Sequence, residues 1–161
     1  MKGIARGTAS ALLSVTALAS GCGSAASTTN LSAAGASLGR EVHDGNFAFT
    51  VTRFDSHLPR IRDHIPQGEY VAIIMTVKNG GTHPETYVGA NQKLKDTTGT
   101  TYPTDTAVDA SLNDDQIPPS INPGNQLQTA AVFDLPQGAV PASVELHESA
   151  SSAGATVNLD H

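Results

Sequence analysis

The chain has 161 residues, 39% hydrophobic and 15% charged, a balance that suits one compact domain and excludes a disordered tail. Nine Lys and Arg stand against 15 Asp and Glu, a formal charge of -6 that argues against a grip on nucleic-acid phosphates. With no Trp, three Tyr and four Phe, there is little material for stacking bases or sugars.

In chain order, residues 1 to 21 read as a signal peptide. Lys2 and Arg6 give a positive start, and Ala9 to Ser20 is uncharged and built of Ala, Leu, Val, Ser and Thr. A bilayer-spanning helix needs roughly 20 mainly apolar residues, and this run is shorter and richer in hydroxyls. The single cysteine, Cys22, follows at once in Leu18-Ala19-Ser20-Gly21-Cys22. That segment resembles the bacterial lipobox, with Ala19 where Leu is commonest. The resemblance implies a diacylglyceryl group on the Cys22 thiol and cleavage before it. The other reading is a secreted protein with a stray free thiol, an unusual state for an exported chain. Removing residues 1 to 21 takes Lys2 and Arg6 from the nine basic residues, leaving seven against 15 acidic ones, a charge of -8. An acidic body is repelled by anionic headgroups, so attachment is expected to depend on the lipid.

Residues 22–39 are expected to form the lipidated Cys and a flexible tether of Gly, Ala, Ser and Thr, with a reach of roughly 20 to 25 Å. Within it, Gly35-Ala36-Ser37-Leu38-Gly39 fits the nucleophile-elbow pattern. That chemistry needs a strand before the Ser and a helix after it, and the sequence offers neither around Ser37.

Residues 40–161 read as an all-β, immunoglobulin-like antiparallel β-sandwich of seven to eight strands. Arg40 to Asn46 suggests a short strand and a turn. Phe47, Phe49 and Val51 alternate with smaller or polar residues, and Arg53-Phe54 breaks the phase, which marks a bulge or the strand's end. Glu69 to Lys78 is nearly continuous in apolar and β-branched residues, a central strand with Val71, Ile73, Met75 and Val77 inward, stopped by Asn79-Gly80-Gly81. Lys93 to Asp96 and Thr100 to Tyr102 flank Thr97-Thr98-Gly99 as a hairpin. Ile121-Asn122-Pro123-Gly124 fits a type II turn. Leu127, Thr129, Ala131, Phe133 and Leu135 share one face, and short strands are expected around Val144 and Leu146 and around Val157 and Leu159. The expected core is Phe47, Phe49, Val51, Val71, Ile73, Met75, Val77, Leu127, Phe133, Val144 and Leu146.

The order of Gly39-Arg40-Glu41-Val42, Phe47 to Val51, Pro66 to Tyr70, Thr76 to Gly80, Leu94-Lys95-Asp96, Gly99 to Tyr102, Asn122-Pro123-Gly124 and Val132 to Pro136 carries a family resemblance. The chain from Gly39 to Leu159 resembles the actinobacterial, mycobacterial-type lipoprotein domain of unknown function related to immunoprotective extracellular immunoglobulin-like antigens. The resemblance implies an immunoglobulin-like sandwich at the cell envelope and brings no catalytic residue.

Three loops are long enough to carry function: Asp55 to Gln67, Gly80 to Gln92 and Thr104 to Ser120. The first holds Asp55, His57, Arg60, Arg62, Asp63 and His64, with Asp55 and His57 on one face if the segment is a strand. Zinc needs three or four convergent ligands, which this spacing does not supply, and His43, His83, His147 and His161 are dispersed. The third holds Asp105, Asp109, Asp114 and Asp115 but lacks the EF-hand pattern, while Val108 and Leu112, four apart, fit a helical turn tucked onto the sandwich. No cofactor, metal or catalytic residue is assigned. The expected function is a lipid-anchored extracytoplasmic binding or interaction module on the cell membrane, not an enzyme, held through Cys22 and meeting an unidentified envelope protein or ligand. The alternative is a small-ligand- or metal-binding envelope lipoprotein.

Overall fold

A computed structural model describes residues 35–113 and 120–159. Cys22, Asp114, Asp115 and His161, the leader and most of the tether lie outside the described residues. The elements run β1 (Glu41–Asp44), β2 (Phe47–Leu58), β3 (Glu69–Asn79), β4 (Glu85–Thr86), a 3-10 turn (Gly89–Asn91), β5 (Lys93–Asp96), β6 (Thr101–Pro103), α1 (Thr106–Asn113), β7 (Ser120–Ile121), β8 (Gln126–Leu135), β9 (Pro141–Leu146) and β10 (Ala155–Asn158). Two four-stranded antiparallel sheets, β1-β2-β3-β8 and β10-β9-β5-β6, form the sandwich, and β4 and β7 pair as a separate ribbon.

Alternation places Phe47, Phe49 and Val51 on the inner face, where the first two rings meet edge to face at 5.9 Å. The expected phase break is a bulge and not an end. Val51 lies opposite Met75 and Arg53 opposite Ile74, so Thr52 is the extra residue and Phe54 returns to the inner face. β2 therefore continues to Leu58, and the first of the long loops is shorter than expected. Along β3, Val71, Ile73, Met75 and Val77 face the second sheet's Leu94, Val144, Leu146 and Val157 in one buried core. Tyr70 and Ala72 on the other face are buried too, in a second cluster with Ile61, Val108 and Val132. Burial on both faces explains why β3 reads as a continuous apolar run.

The turns largely follow the sequence. Gly124 has φ 76 and Asn125 N–H bonds Asn122 O at 3.0 Å, so the type II turn is Asn122 to Asn125, one residue later than expected. Asn79, fully buried, organises the loop that follows: its Nδ2 donates to His83 O (2.7 Å) and Ile121 O (2.8 Å), and its Oδ1 accepts from Gly81 N–H (2.8 Å). Asn79→Ala should cost about 2 to 4 kcal/mol, because it removes a fully buried amide and strands three backbone groups, of which Ile121 O is buried. Urea unfolding measures it, and a change under about 0.5 kcal/mol would contradict this role.

The sandwich begins before residue 40. Ala36 bridges Val157 in parallel, its N–H bonding Thr156 O (3.0 Å) and its O accepting from Asn158 N–H (2.7 Å), while Leu38 packs on the core. Residues 35–39, assigned to the tether by composition, are thus attached to β10. Ser37 is exposed, and its carbonyl accepts from Arg40 N–H at 3.2 Å, with no strand-to-helix elbow around it.

Register defines the two ends. At one, Phe47 faces Asn79 and Lys78 faces Gln126; at the other, Leu58 faces Tyr70 and Glu69 faces Leu135. β10 starts at the Asn79 end, where Glu148 and Gly154 N–H groups bond Asp44. Because Ala36 runs parallel to β10, the chain reaches the sandwich from the Asn79 end.

Candidate functional site

Strand β8 closes one side of its sheet, and its outer edge is covered by side chains of α1. Asp109 Oδ1 accepts from Val132 N–H (2.6 Å), Asp105 N–H donates to Val132 O (2.7 Å), and Asn113 exchanges two hydrogen bonds with Ala130 N–H and O (3.1 and 3.0 Å). Asp109 and Asn113, four residues apart on one helix face, thus supply what a fifth strand would. Asp105 caps the helix, its Oδ1 accepting from Ala107 and Val108 N–H at 3.2 Å. Val108 is fully buried and Leu112 half-buried against the sheet, as their spacing predicts. Two carboxylates of the acidic loop therefore serve the fold.

Below the helix, Asp109 is 7% exposed and sits beside Tyr87, whose buried hydroxyl has no partner among the described residues. Burial, reinforced by the charge of Asp105 and opposed by the Val132 N–H bond, pushes the Asp109 carboxyl up to about 7. Burial also raises the Tyr87 phenol, and Asp109 adds to it.

The helix covers only part of the sheet's outer face. Beside it runs an open trough of about 480 Å³, floored by Ala72, Ile74 and Ala130, walled by Leu58 and Ile61 on one side and Leu112 on the other. Arg53, Asp55 and Gln128 contribute the polar lining. This groove joins a largely apolar floor to hydrogen-bonding groups, the general make-up of a recognition surface. A second hollow of about 610 Å³ at the Glu69 end is lined by Tyr102, Asp134 and Pro136, but the Asp134 carboxylate is committed to Gln67 and Gly68 N–H (2.7 and 3.1 Å).

The donors in the loop after β2 do not converge. Asp55 pairs with Arg53 (3.1 Å) and His57 with Glu69 (2.9 Å), and the left-handed backbone at His57 (φ 56) breaks the alternation that would place it beside Asp55. His43 lies beside Glu41 at 3.2 Å, and His83 Nδ1 lies 3.0 Å from Thr82 Oγ1. Among the described residues no three His, Cys, Asp or Glu side chains gather at metal-holding distance.

Ser152, His147 and Asp44 come together, yet not as a nucleophilic relay. His147 Nδ1 lies 3.2 Å from Ser152 O, which fixes its proton on that nitrogen, and Ser152 Oγ lies 2.9 Å from Ser149 O. Burial opposes ionisation of Asp44, but bonds from Ser152 and from Glu148 and Gly154 N–H outweigh it and hold the carboxyl below its ordinary value. A triad would place that carboxylate on the imidazole; here it locks a turn. Gly154 (φ 78) is required there, since a Cβ would stand 2.5 Å from the His147 ring. Sequence reasoning found α1 through Val108 and Leu112 but not the groove, whose walls come from β2, β3, β8 and α1 and leave no local pattern.

Residues 36–156 match the family of domains of unknown function DUF4352. The chain belongs to the DUF4352 family. Several solved structures share its fold. The secreted protein MPT63 of Mycobacterium tuberculosis is 19% identical with a TM-score of 0.55, covering 70% of this chain and 89% of that one. For yjhA of Bacillus subtilis the figures are 14%, 0.58, 78% and 99%. For ycdA of the same organism, named a candidate lipoprotein, they are 16%, 0.51, 73% and 38%. No curated protein matches the sequence. These likenesses show that this DUF4352 domain is a β-sandwich. Among its described residues no helix is long and apolar enough to cross a membrane.

Proposed function

We propose that the protein is a lipid-anchored binding module on the extracytoplasmic side of a mycobacterial-type cell envelope, held by acyl chains on Cys22 and acting without bond chemistry. The observation that carries the binding part is the groove beside α1, where an apolar floor left uncovered by the helix meets Arg53 and Gln128. The anchor is supported by the leader and Leu18-Ala19-Ser20-Gly21-Cys22. The secreted and candidate-lipoprotein neighbours are consistent with the same location. Two or three acyl chains on one Cys make release negligible, since each buried methylene contributes about 0.8 kcal/mol.

Cys22→Ala should abolish metabolic fatty-acid labelling and move the protein out of the membrane fraction; continued labelling overturns the anchor. For the groove, a photo-crosslinking residue at Gln128 should capture partner in cells, whereas one at exposed Thr156 on the opposite sheet should not. Equal capture at both positions overturns the groove's role. A second reading, small-ligand carriage in the same groove, draws on its apolar floor and polar lining and would show as a defined small molecule co-purifying in stoichiometric amount.

A further inference from the structure

We propose that residues 60–65 form a preshaped recognition tip for an acidic polypeptide segment of a partner, displayed at the end of the sandwich remote from the anchor. The proposal deepens the binding-module reading and rests on it for the direction in which the tip faces.

The tip is held in shape by its own backbone. Ile61 N–H bonds His64 O at 3.1 Å and His64 N–H bonds Ile61 O at 2.9 Å, which closes a two-residue turn over Arg62 and Asp63. Arg62 takes φ 49, a left-handed conformation that a non-glycine residue rarely adopts without tertiary support. That support is Ile61, 8% exposed and rooted in the cluster with Tyr70 and Val108. A loop already ordered loses little entropy when a partner binds.

Its chemistry is cationic and apolar on a body that is otherwise acidic. Arg60 and Arg62 are exposed and have no ionic or hydrogen-bond partner among the described residues, whereas Arg53 is paired with Asp55. The planar guanidinium fork suits carboxylates, and Asp63 is the one acidic group within the tip. Ile65 is 74% exposed and Val140, in the turn after β8 at the same end, 54% exposed; they are the two large hydrophobics left so open among the described residues. A purely polyanionic polymer would use the arginines alone. Carboxylates interspersed with apolar side chains match Arg60, Arg62 and Ile65 together, which favours a polypeptide. The chain reaches the sandwich from the Asn79 end, so this tip lies at the opposite end.

The full-length chain, purified in detergent micelles, is titrated with fluorescent peptides of alternating Glu and Leu or alternating Lys and Leu, and with polyphosphate. The Glu-Leu peptide should bind, more weakly as salt rises, and the Lys-Leu peptide should not. Arg60→Glu with Arg62→Glu should weaken binding by about tenfold or more, and Ile65→Ser by several-fold. Lys78→Glu, exposed at the other end, should leave binding unchanged. If charge reversal perturbs the turn, Arg60→Gln with Arg62→Gln serves as the milder pair and should still weaken binding. No binding, equal loss with Lys78→Glu, or tighter binding of polyphosphate insensitive to Ile65→Ser overturns the proposal. Failure of the anchor shows in Cys22 labelling and failure of the groove in Gln128 crosslinks, and neither alters this titration.

Discussion

Between about pH 4 and pH 7 the domain should lose roughly 3 to 4 kcal/mol of stability through a single side chain, and Asp109→Asn should abolish that loss. The carboxyl of Asp109 is held near 7 when folded and titrates near 4 when unfolded. Below both values the two states are protonated alike and the group contributes nothing. As pH rises past 4 the unfolded chain ionises first, so it binds fewer protons than the native state and stability falls. Above about 7 both are ionised and the penalty is complete. The groups that face this carboxyl are Asp105, whose charge adds to the effect, the unpartnered Tyr87 phenol and Val132 N–H. Asp44 and Asp96 shift the other way: their contribution is lost only as pH falls below about 4, outside this window. Asparagine keeps an oxygen for Val132 N–H, so at pH 8 the variant should be the more stable protein, while at pH 4 the two should agree within about 1 kcal/mol. Denaturant midpoints at pH 4, 6 and 8 decide the matter; parallel pH curves for the two proteins would refute it.

Phe49→Ala should be comparably costly, about 3 to 5 kcal/mol, because the ring is fully buried, meets Phe47 edge to face and leaves a cavity that a two-sheet core cannot close. Phe54→Ala should cost no more than about half as much, since that ring is only half-buried at the margin of the same core. The pair tests the bulge directly. Without the extra residue at Thr52, Phe54 would fall on the outer face and contribute nothing to the main core. Equilibrium unfolding in guanidinium measures both, and the reverse order of costs would show the bulge to be misplaced.

The strand stretch that faces a single core was legible in the sequence because period two reports a half-buried sheet directly, as in Phe47, Phe49 and Val51. α1 was legible from two apolar residues, Val108 and Leu112. β4 and β7 were not, since two-residue strands have no period, and their pairing is imposed by Asn79 from outside both. Nor could the roles of Asp109 and Asn113 be read. A carboxylate in an acidic loop looks the same whether it awaits a cation or caps a strand, and only the tertiary register of β8 decides between them. Residues 35–39 misled for a related reason. Their Gly, Ala and Ser composition resembles a spacer, but attachment to β10 uses backbone groups that every residue carries.

Because the outer side of β8 is satisfied by one short backbone bridge at Thr104 and Asp105 and by the Asp109 and Asn113 side chains of a short helix, its sealing is piecemeal and not a continuous ladder. On the proposed Cys22 anchor, many copies would share one leaflet at high local concentration, where a bare strand would recruit its neighbour's and polymerise laterally. With that anchor, the cover that Asp109 and Asn113 help supply would oppose lateral pairing along this side, and damage to α1 would surface first as aggregation in the membrane plane.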